Sequence, residues 1–242
     1  NAPPTPNISV STTGTQTSSM TVPSTDQSVG GAFTFQRSSG SANVTQIIIS
    51  ETGSVNAQTN ISNLKLYYET TASCSFEGTE TSFNSTPVSF NSSQKATATG
   101  SMSVGTSQVC VYATLNIGSG AGDTQTLEIE ITNPSTEVTA SAGTVSPSTA
   151  VAISGTTTLS VPNSPPTLSI SQPDSTSDTI AQDGSYNITY TLSDSDNDVT
   201  AAFYYDINNS GLDGNSISGA CATAVEGTGI TCSWDTSGAA PG

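Results

Sequence analysis

Six acidic and amide side chains near the C-terminal end are the clearest candidates for chemistry in this sequence. They are Asp194, Asp196 and Asp198 in one short segment and Asp206, Asn208 and Asp213 in the next. The second segment matches the D-x-N-x-S-G opening of an EF-hand-type loop, and oxygen-rich loops with a glycine turn suit a hard cation. Ile217 stands where that loop would need its bidentate Glu, which excludes a true EF-hand. Calcium is therefore the one cofactor predicted, and a pair of solvated strand connections is the alternative, because Asp, Asn and Gly are common turn residues.

The sequence lacks the residues that most catalytic sites use. It contains no histidine, so Ser-His-Asp and Cys-His arrangements are impossible. Lys65, which could be paired with a serine, alternates with Leu64 and Leu66 and is predicted to lie on the outer face of a strand. A glycosidase-like carboxylate pair would need an aromatic-rich groove, and none is indicated around the acids. We expect a protein that is not an enzyme.

The four cysteines, Cys74, Cys110, Cys221 and Cys232, fall into two separated pairs. The sequence has no CxxC motif and no histidine, so a zinc site is not indicated. Two disulfides, Cys74–Cys110 and Cys221–Cys232, are the economical interpretation, and disulfides persist in oxidising compartments. Closing the longer loop would add about 3–4 kcal/mol on the loop-entropy model. These pairs predict an extracellular or cell-surface location.

Seven Asn residues stand in N-x-S/T sequons and are candidate glycosylation sites: Asn7, Asn43, Asn60, Asn84, Asn91, Asn187 and Asn208. A chain this rich in Asn, Ser and Thr forms about that many sequons by chance, so their number alone does not indicate glycans. Intact-mass measurement would decide whether they are occupied.

The charge of the chain excludes two classes of partner. Nineteen acids stand against three bases, Arg37, Lys65 and Lys95, for a formal net charge of -16. Nucleic acids and anionic membrane surfaces need clustered Lys and Arg, so neither is an expected partner. No apolar stretch is long enough to span a bilayer, so direct membrane insertion of this segment is not expected. The chain opens at Asn1 rather than Met, so any export signal or anchor is expected to lie outside it.

The composition predicts many short strands. Hydrophobic residues make up 33% of the chain and charged residues 9%, and strong helix formers are scarce. Runs of Val, Ile, Thr and Tyr between Gly, Asn, Ser and Pro turns indicate an all-β fold. Strands are predicted at Gly31–Arg37, Gln46–Ser50, Asn63–Glu69, Gln108–Asn116, Leu127–Thr132, Thr167–Ser171, Tyr186–Ser193, Val199–Asp206 and Gly227–Trp234. Alternation puts Cys110 and Tyr112 opposite the apolar residues of their strand, so the Cys74–Cys110 bridge should attach a loop to the outer face of a sheet.

A repeated motif divides the chain. Residues 1–9 read NAPPTPNIS and residues 163–171 read NSPPTLSIS, with six of nine positions identical. Pro-Pro makes a short, stiff, extended connector, and the same connector before two segments indicates two module starts. The predicted organisation is a Pro-rich connector at 1–9, a β-sandwich module at 10–162 and a second module at 163–242.

The second module resembles the Ig-like repeats found in tandem arrays of prokaryotic surface proteins. The stretches that carry the likeness are NSPPTLSIS, YTLSDSDNDVTAAFYYD, GLDG and SWDTSGAAPG. In such arrays a final strand follows the last stretch, so this Ig-like module is predicted to lack its last strand or strands. The first module is similar only to β-sandwich modules of secreted proteins in general. The likeness implies two Ig-like β-sandwich modules in tandem, with roles in adhesion, spacing or assembly and no chemistry.

Three functions follow as expectations, in order. The first is a structural or adhesive segment of an extracellular surface protein, whose partners are copies of itself or neighbouring modules of the same parent protein. The second is a subunit of an extracellular filament or pilus assembled by β-strand exchange, since an incomplete sandwich can accept a strand from another chain. The third is a carbohydrate-binding accessory module, for which the aromatic candidates are Tyr67, Tyr68, Tyr204, Tyr205 and Trp234.

Overall fold

A computed structural model of the chain describes residues 5–174, 184–207, 210–211 and 213–239. Strands dominate this part of the chain, and the only helices in it are two single turns and one 3-10 segment. The fold is therefore all-β with several sheets, as the composition predicts. The chain divides into two compact units, unit 1 at Asn1–Pro162 and unit 2 at Asn163–Gly242.

Unit 1 contains the two short helices, α1 (Ala57–Asn60) and α2 (Pro134–Glu137). Its strands are β1 (Asn7–Thr13), β2 (Ser19–Thr21), β3 (Ser24–Ser28), β4 (Ala32–Arg37), β5 (Ala42–Glu51), β6 (Ile61–Thr70), β7 (Thr81–Ser82), β8 (Lys95–Val104), β9 (Val109–Ile117), β10 (Thr126–Leu127), β11 (Ile129–Ile131), β12 (Val138–Ala140), β13 (Thr144–Ser146), β14 (Val151–Ala152) and β15 (Thr157–Ser160). One large sheet has the order β13-β1-β4-β9-β6-β7, with β3 also paired to β9. A second sheet has the order β12-β5-β11-β14, with β8 also paired to β5, and a small sheet has the order β10-β15-β2.

The two larger sheets of unit 1 enclose one hydrophobic core. Side chains of a strand alternate between its two faces, so every second residue of a half-buried strand is apolar. Phe33 and Phe35 of β4 and Ile47 and Ile49 of β5 follow this rule, and all four are fully buried in the same cluster. The alternating patterns that predict these strands therefore also identify the core face correctly.

Two predicted boundaries in unit 1 are wrong. The segment 1–9 is not connector throughout, because β1 starts at Asn7 and pairs with β13 on one side and β4 on the other; residues 1–4 lie outside the described residues. The segment Leu127–Thr132 is not one strand either, because Leu127 pairs with β15 whereas Ile129 pairs with β5. The chain changes sheet at this point while its alternation continues, so the sequence pattern does not reveal the break.

Unit 2 is smaller and is organised around one three-stranded sheet. Its described elements are β16 (Thr167–Gln172), β17 (Ser185–Ser193), β18 (Thr200–Ala201), β19 (Tyr204–Tyr205), β20 (Asn215–Ser216), a 3-10 helix (Gly219–Thr223), β21 (Ala224–Val225) and β22 (Gly227–Asp235). The sheet has the order β16-β17-β22, and β18-β21 and β19-β20 form two short pairs. The single strand predicted at Val199–Asp206 is wrong, because the chain leaves β18 before Phe203 enters the core and then pairs with a different strand.

Candidate functional site

The first acidic segment anchors the start of unit 2. Asp196 accepts a hydrogen bond from the backbone N–H of Ser164 at 2.7 Å. Asn197 donates a hydrogen bond from Nδ2 to Oδ1 of Asn163 at 2.6 Å. These bonds fix the beginning of the Asn-x-Pro-Pro connector to the turn after β17, so part of this polar cluster has a structural role.

The predicted calcium ligands that the structure describes, which are Asp194, Asp196, Asp198, Asp206 and Asp213, are not gathered into one site. Asp194, Asp196 and Asp198 line an open groove of about 480 Å³ with Glu226, which accepts the backbone N–H of Asp194. Hydrogen bonding with Asp196 lowers the pKa of the half-buried Asp194 carboxyl. Among the residues that the structure describes, no group of three or more His, Cys, Asp or Glu side chains is placed to hold a metal. Asp206 and Asp213 are exposed and Asn208 lies outside the described residues, so calcium binding stays a prediction.

The Cys74–Cys110 disulfide forms as predicted and attaches a loop to the outer face of the large sheet. Cys110 and Tyr112 lie on that face and are buried beneath Cys74 and Phe76. The rings of Phe76 and Tyr112 are 5.4 Å apart. The predicted outer face is therefore a second, smaller hydrophobic cluster that the loop shields from solvent.

A short hydrogen bond lies at the edge of this cluster. The Tyr112 hydroxyl donates a hydrogen bond of 2.6 Å to Oε1 of Glu69. Burial, followed by the hydrogen bond and charge of Glu69, raises the pKa of the Tyr112 hydroxyl above its usual value. The contact explains how a buried phenol and a carboxylate coexist on this face, and it holds the hydroxyl in its neutral form.

The Cys221–Cys232 disulfide also forms and lies in the core of unit 2. Cys221 belongs to the 3-10 helix and Cys232 to β22, and both are buried. The buried cluster around them includes Ile188, Tyr190 and Leu192 of β17. The bridge thus joins the main sheet of unit 2 to the segment that covers it.

Asn84 is wrong as a glycosylation candidate. Its side chain is 2% exposed. Its Oδ1 accepts the backbone N–H of Leu66 at 2.7 Å, and its Nδ2 donates to the carbonyls of Leu64 and Thr86 at 3.1 and 2.9 Å. The amide nitrogen that a glycan would occupy is therefore used to attach the segment after β7 to β6.

The other sequons differ in accessibility. Asn7 is half-buried, and its side chain bonds to Thr144 and Ser146 of the neighbouring strand, while Asn60 is also half-buried. Exposed sequon positions are Asn43, Asn91 and Asn187, and Asn208 lies outside the described residues. Glycosylation at the exposed positions stays a prediction.

The aromatic candidates do not form a flat platform for sugar binding. Tyr205 and Trp234 stack on each other, with centroids 4.9 Å apart and planes inclined by 30°. Both are partly buried against the core of unit 2, and Tyr67 contacts Phe76 of the covered outer face. Stacking between the two rings uses the faces that a sugar ring would need.

Unit 2 carries all five large hydrophobic side chains that are exposed in the described residues: Leu168, Ile170, Tyr204, Ile207 and Val225. Leu168 and Ile170 of β16 lie directly opposite Leu192 and Tyr190 of β17, so all four share one face of the sheet. Leu192 and Tyr190 are buried in the core cluster of unit 2, whereas Leu168 and Ile170 remain 48% and 50% exposed. The apolar face of this sheet is therefore covered at its centre and open along β16.

The repeated motif provides an internal comparison for this open strand. In the aligned motifs Ile8 of β1 corresponds to Ile170 of β16. Ile8 is fully buried, and β1 pairs with the parallel strand β13 as well as with β4. Within the described residues β16 pairs only with β17. Sequence reasoning missed the exposure of Ile170, because the motif is nearly the same in both units and only the neighbouring strands differ.

Neither the protein-family models nor the curated proteins contain a match to this chain. In the part of the chain that the structure describes, no helix has the length and apolar character needed to cross a membrane. Assignment to the Ig-like repeats of surface proteins accordingly stays a prediction.

Proposed function

We propose that this chain is a non-enzymatic structural or adhesive segment of an extracellular surface protein. The observation that carries the proposal is the presence of one disulfide in each of two all-β units. Disulfides form and persist in oxidising environments such as the cell surface and the extracellular space. The net charge of -16 favours solubility and disfavours contact with nucleic acid or anionic lipid.

Immunogold electron microscopy on intact cells of the source organism tests this location. Antibodies raised against the purified chain are expected to label the outer surface or extracellular material of unpermeabilised cells. Cells lacking the gene provide the control for non-specific labelling. Label confined to the cytoplasm of sectioned cells would contradict the proposal.

The open strand β16 favours a second candidate function, the assembly of filaments by β-strand addition. An extended segment from another copy, or from a neighbouring module of the same protein, would pair by main-chain hydrogen bonds with the edge of β16 that no described strand occupies. Unit 1 offers the template, since β13 runs parallel to β1 and places Val145 opposite Ile8. A strand added to β16 in the same way would cover Leu168 and Ile170, which are half-exposed at this edge.

Paired variants on the two faces of β16 test strand addition. Leu168→Lys with Ile170→Lys places charges on the open apolar face, and Ser169→Lys with Ser171→Lys places the same charges on the opposite face. Sedimentation velocity and negative-stain microscopy of the full chain should show association that is lost in the first pair and retained in the second. A chain that stays monomeric at every concentration tested, or equal association of both variants, would exclude assembly through this face.

A further inference from the structure

Arg37 is the only arginine in the sequence, and it occupies a core position. It is the last residue of β4, where alternation places it on the same face as Phe33 and Phe35. It lies opposite Ile8 of β1 and is 7% exposed. A strongly polar cation therefore ends an otherwise apolar row of side chains.

The guanidinium of Arg37 has no counterion and no hydrogen-bond acceptor among the described residues. Its Nε is buried without a partner, and the one ion pair of this part of the chain joins Lys95 to Glu137. None of the acids that the structure describes therefore pairs with this cation. Buried guanidinium groups are normally paired and hydrogen-bonded, because the desolvation of an isolated charge is strongly unfavourable.

One glycine leaves space beside an end of the guanidinium. Among the described residues, a Cβ added to Gly40 would have only Nη1 of Arg37 within 4 Å, at 3.9 Å. At Gly143, beside Nη2, there is no such space, because the carbonyl oxygen of Pro6 lies 2.3 Å from where a Cβ would stand. Gly40 has a positive φ of 64°, so its turn disfavours a larger side chain at this point. Nη1 consequently faces a turn that carries no side chain over it.

A polar groove of about 340 Å³ also lies beside this residue and is lined by Asn7, Ser9, Gln36, Arg37, Ser38 and Thr106. Ser9 and Gln36 lie on the sheet face opposite the Arg37 side chain, so the space open to the guanidinium is the one at Gly40 and not this groove. The planar guanidinium presents parallel N–H donors whose geometry matches the two oxygens of a carboxylate or phosphate. We propose that Arg37 and the turn at Gly40 form an oxyanion site that accepts a carboxylate or a similar oxyanion. Such an oxyanion could come from an acidic side chain of another copy of this chain or from a small free anion.

Nitrogen-15 NMR of the full chain tests the site directly. With one arginine in the sequence, the Nε–Hε region contains a single side-chain signal that needs no assignment. Sodium acetate and sodium phosphate at millimolar concentration are each expected to shift this signal saturably. Sodium chloride at equal ionic strength is the control and should leave it nearly unchanged. A signal that responds equally to all three salts, or to none, would overturn the proposal.

Substitution of Gly40 supplies the missing charge from within the chain. Asp and Asn tolerate the left-handed backbone of this position better than other residues, so Gly40→Asp and Gly40→Asn form a matched pair. Gly40→Asp is expected to melt about 2–4 °C higher than Gly40→Asn and to lose the acetate-induced shift in Tm. Equal melting temperatures and equal acetate responses in the two variants would contradict a site at Arg37.

Arg37→Met separates specific binding from general salt effects. The variant should no longer gain stability from millimolar acetate, whereas Lys65→Met should respond like the unmodified chain; an unchanged response in Arg37→Met would overturn the site. If Arg37→Met does not fold, the Gly40 variants and the NMR titration still decide whether the site binds an oxyanion.

Sedimentation of the chain without added anion then identifies where the bound oxyanion comes from. Association that acetate displaces indicates a carboxylate of another copy, and a monomer indicates a free anion.

Discussion

Asn84 shows how one polar side chain can organise a loop inside a hydrophobic unit. It satisfies three backbone groups of Leu64, Leu66 and Thr86 while it is almost fully buried. Asn84→Ala would remove this partner from the Leu66 N–H and the Thr86 carbonyl, whereas the Leu64 carbonyl keeps the N–H of Val88, and the expected loss of stability is about 2–3 kcal/mol. Urea denaturation followed by far-UV circular dichroism measures it.

The neighbouring sequon provides the control. Asn91 is exposed, and its Oδ1 accepts the backbone N–H groups of Ser93 and Lys95 in a turn. Asn91→Ala is expected to cost less than about 1 kcal/mol, because water can satisfy the exposed turn. Equal losses of stability in the two variants would mean that burial does not increase the contribution of the Asn84 hydrogen bonds.

Glu51 is a carboxylate that the fold holds in an unfavourable environment. It is 4% exposed, and its Oε1 accepts the backbone N–H groups of Gly53 and Glu128 at 2.6 and 3.2 Å. Burial nevertheless raises the pKa of its carboxyl above 4.5. The folded state therefore binds this proton more tightly than the unfolded state does, so the contribution of Glu51 to stability falls as pH rises from 4.5 through its folded pKa.

Glu51→Gln removes the charge and keeps the carbonyl oxygen that accepts these bonds. At neutral pH the variant is expected to be more stable than the original chain, and the difference should vanish as the pH falls below 4.5. Urea midpoints across this range measure the effect. The exposed Glu77→Gln is the control, and a Glu51→Gln advantage that is the same at all pH values would contradict the assigned cause.

At the scale of elements, local pattern predicts strands well and their partners poorly. Thr167–Ser171 and Tyr186–Ser193 are predicted within one residue of β16 and β17, because alternation and turn residues mark both ends. The break between β10 and β11 is invisible to the same method, since the residues on both sides keep one face buried while the hydrogen-bonded neighbour changes. Strand partners depend on distant residues, which periodicity does not encode.

The candidate sites also divide into those that the sequence could predict and those that depend on distant contacts. Both disulfides could be predicted, because spacing and the lack of other thiol chemistry leave few alternatives. The burial of Asn84 could not, since it depends on how β6 packs. The unusual position of Arg37 is visible in hindsight, because it continues the row of Phe33 and Phe35 at a spacing of two. A charged residue at a core position of an alternating strand is the signal to seek.

At the scale of the whole chain, the two units differ greatly in the size of their cores. Unit 1 has one extensive buried cluster from its larger sheets. Among its described residues, the buried cluster of unit 2 has eight members, and two of them are the cysteines of one disulfide. Small cores rely more on crosslinks, because they bury less apolar surface per residue. We expect unit 2 to depend on its disulfide far more than unit 1 does.

The single tryptophan makes this dependence measurable. Trp234 lies in β22, so its fluorescence reports on unit 2, whereas circular dichroism reports on both units. Replacement of Cys221 and Cys232 by Ser is expected to lower the stability of unit 2 by about 3 kcal/mol or to unfold it, and to shift the fluorescence transition first. Replacement of Cys74 and Cys110 by Ser should leave that fluorescence transition in place. A fluorescence midpoint that moves equally in both variants would show that the two units unfold together, because a crosslink in unit 1 would then determine when Trp234 is exposed.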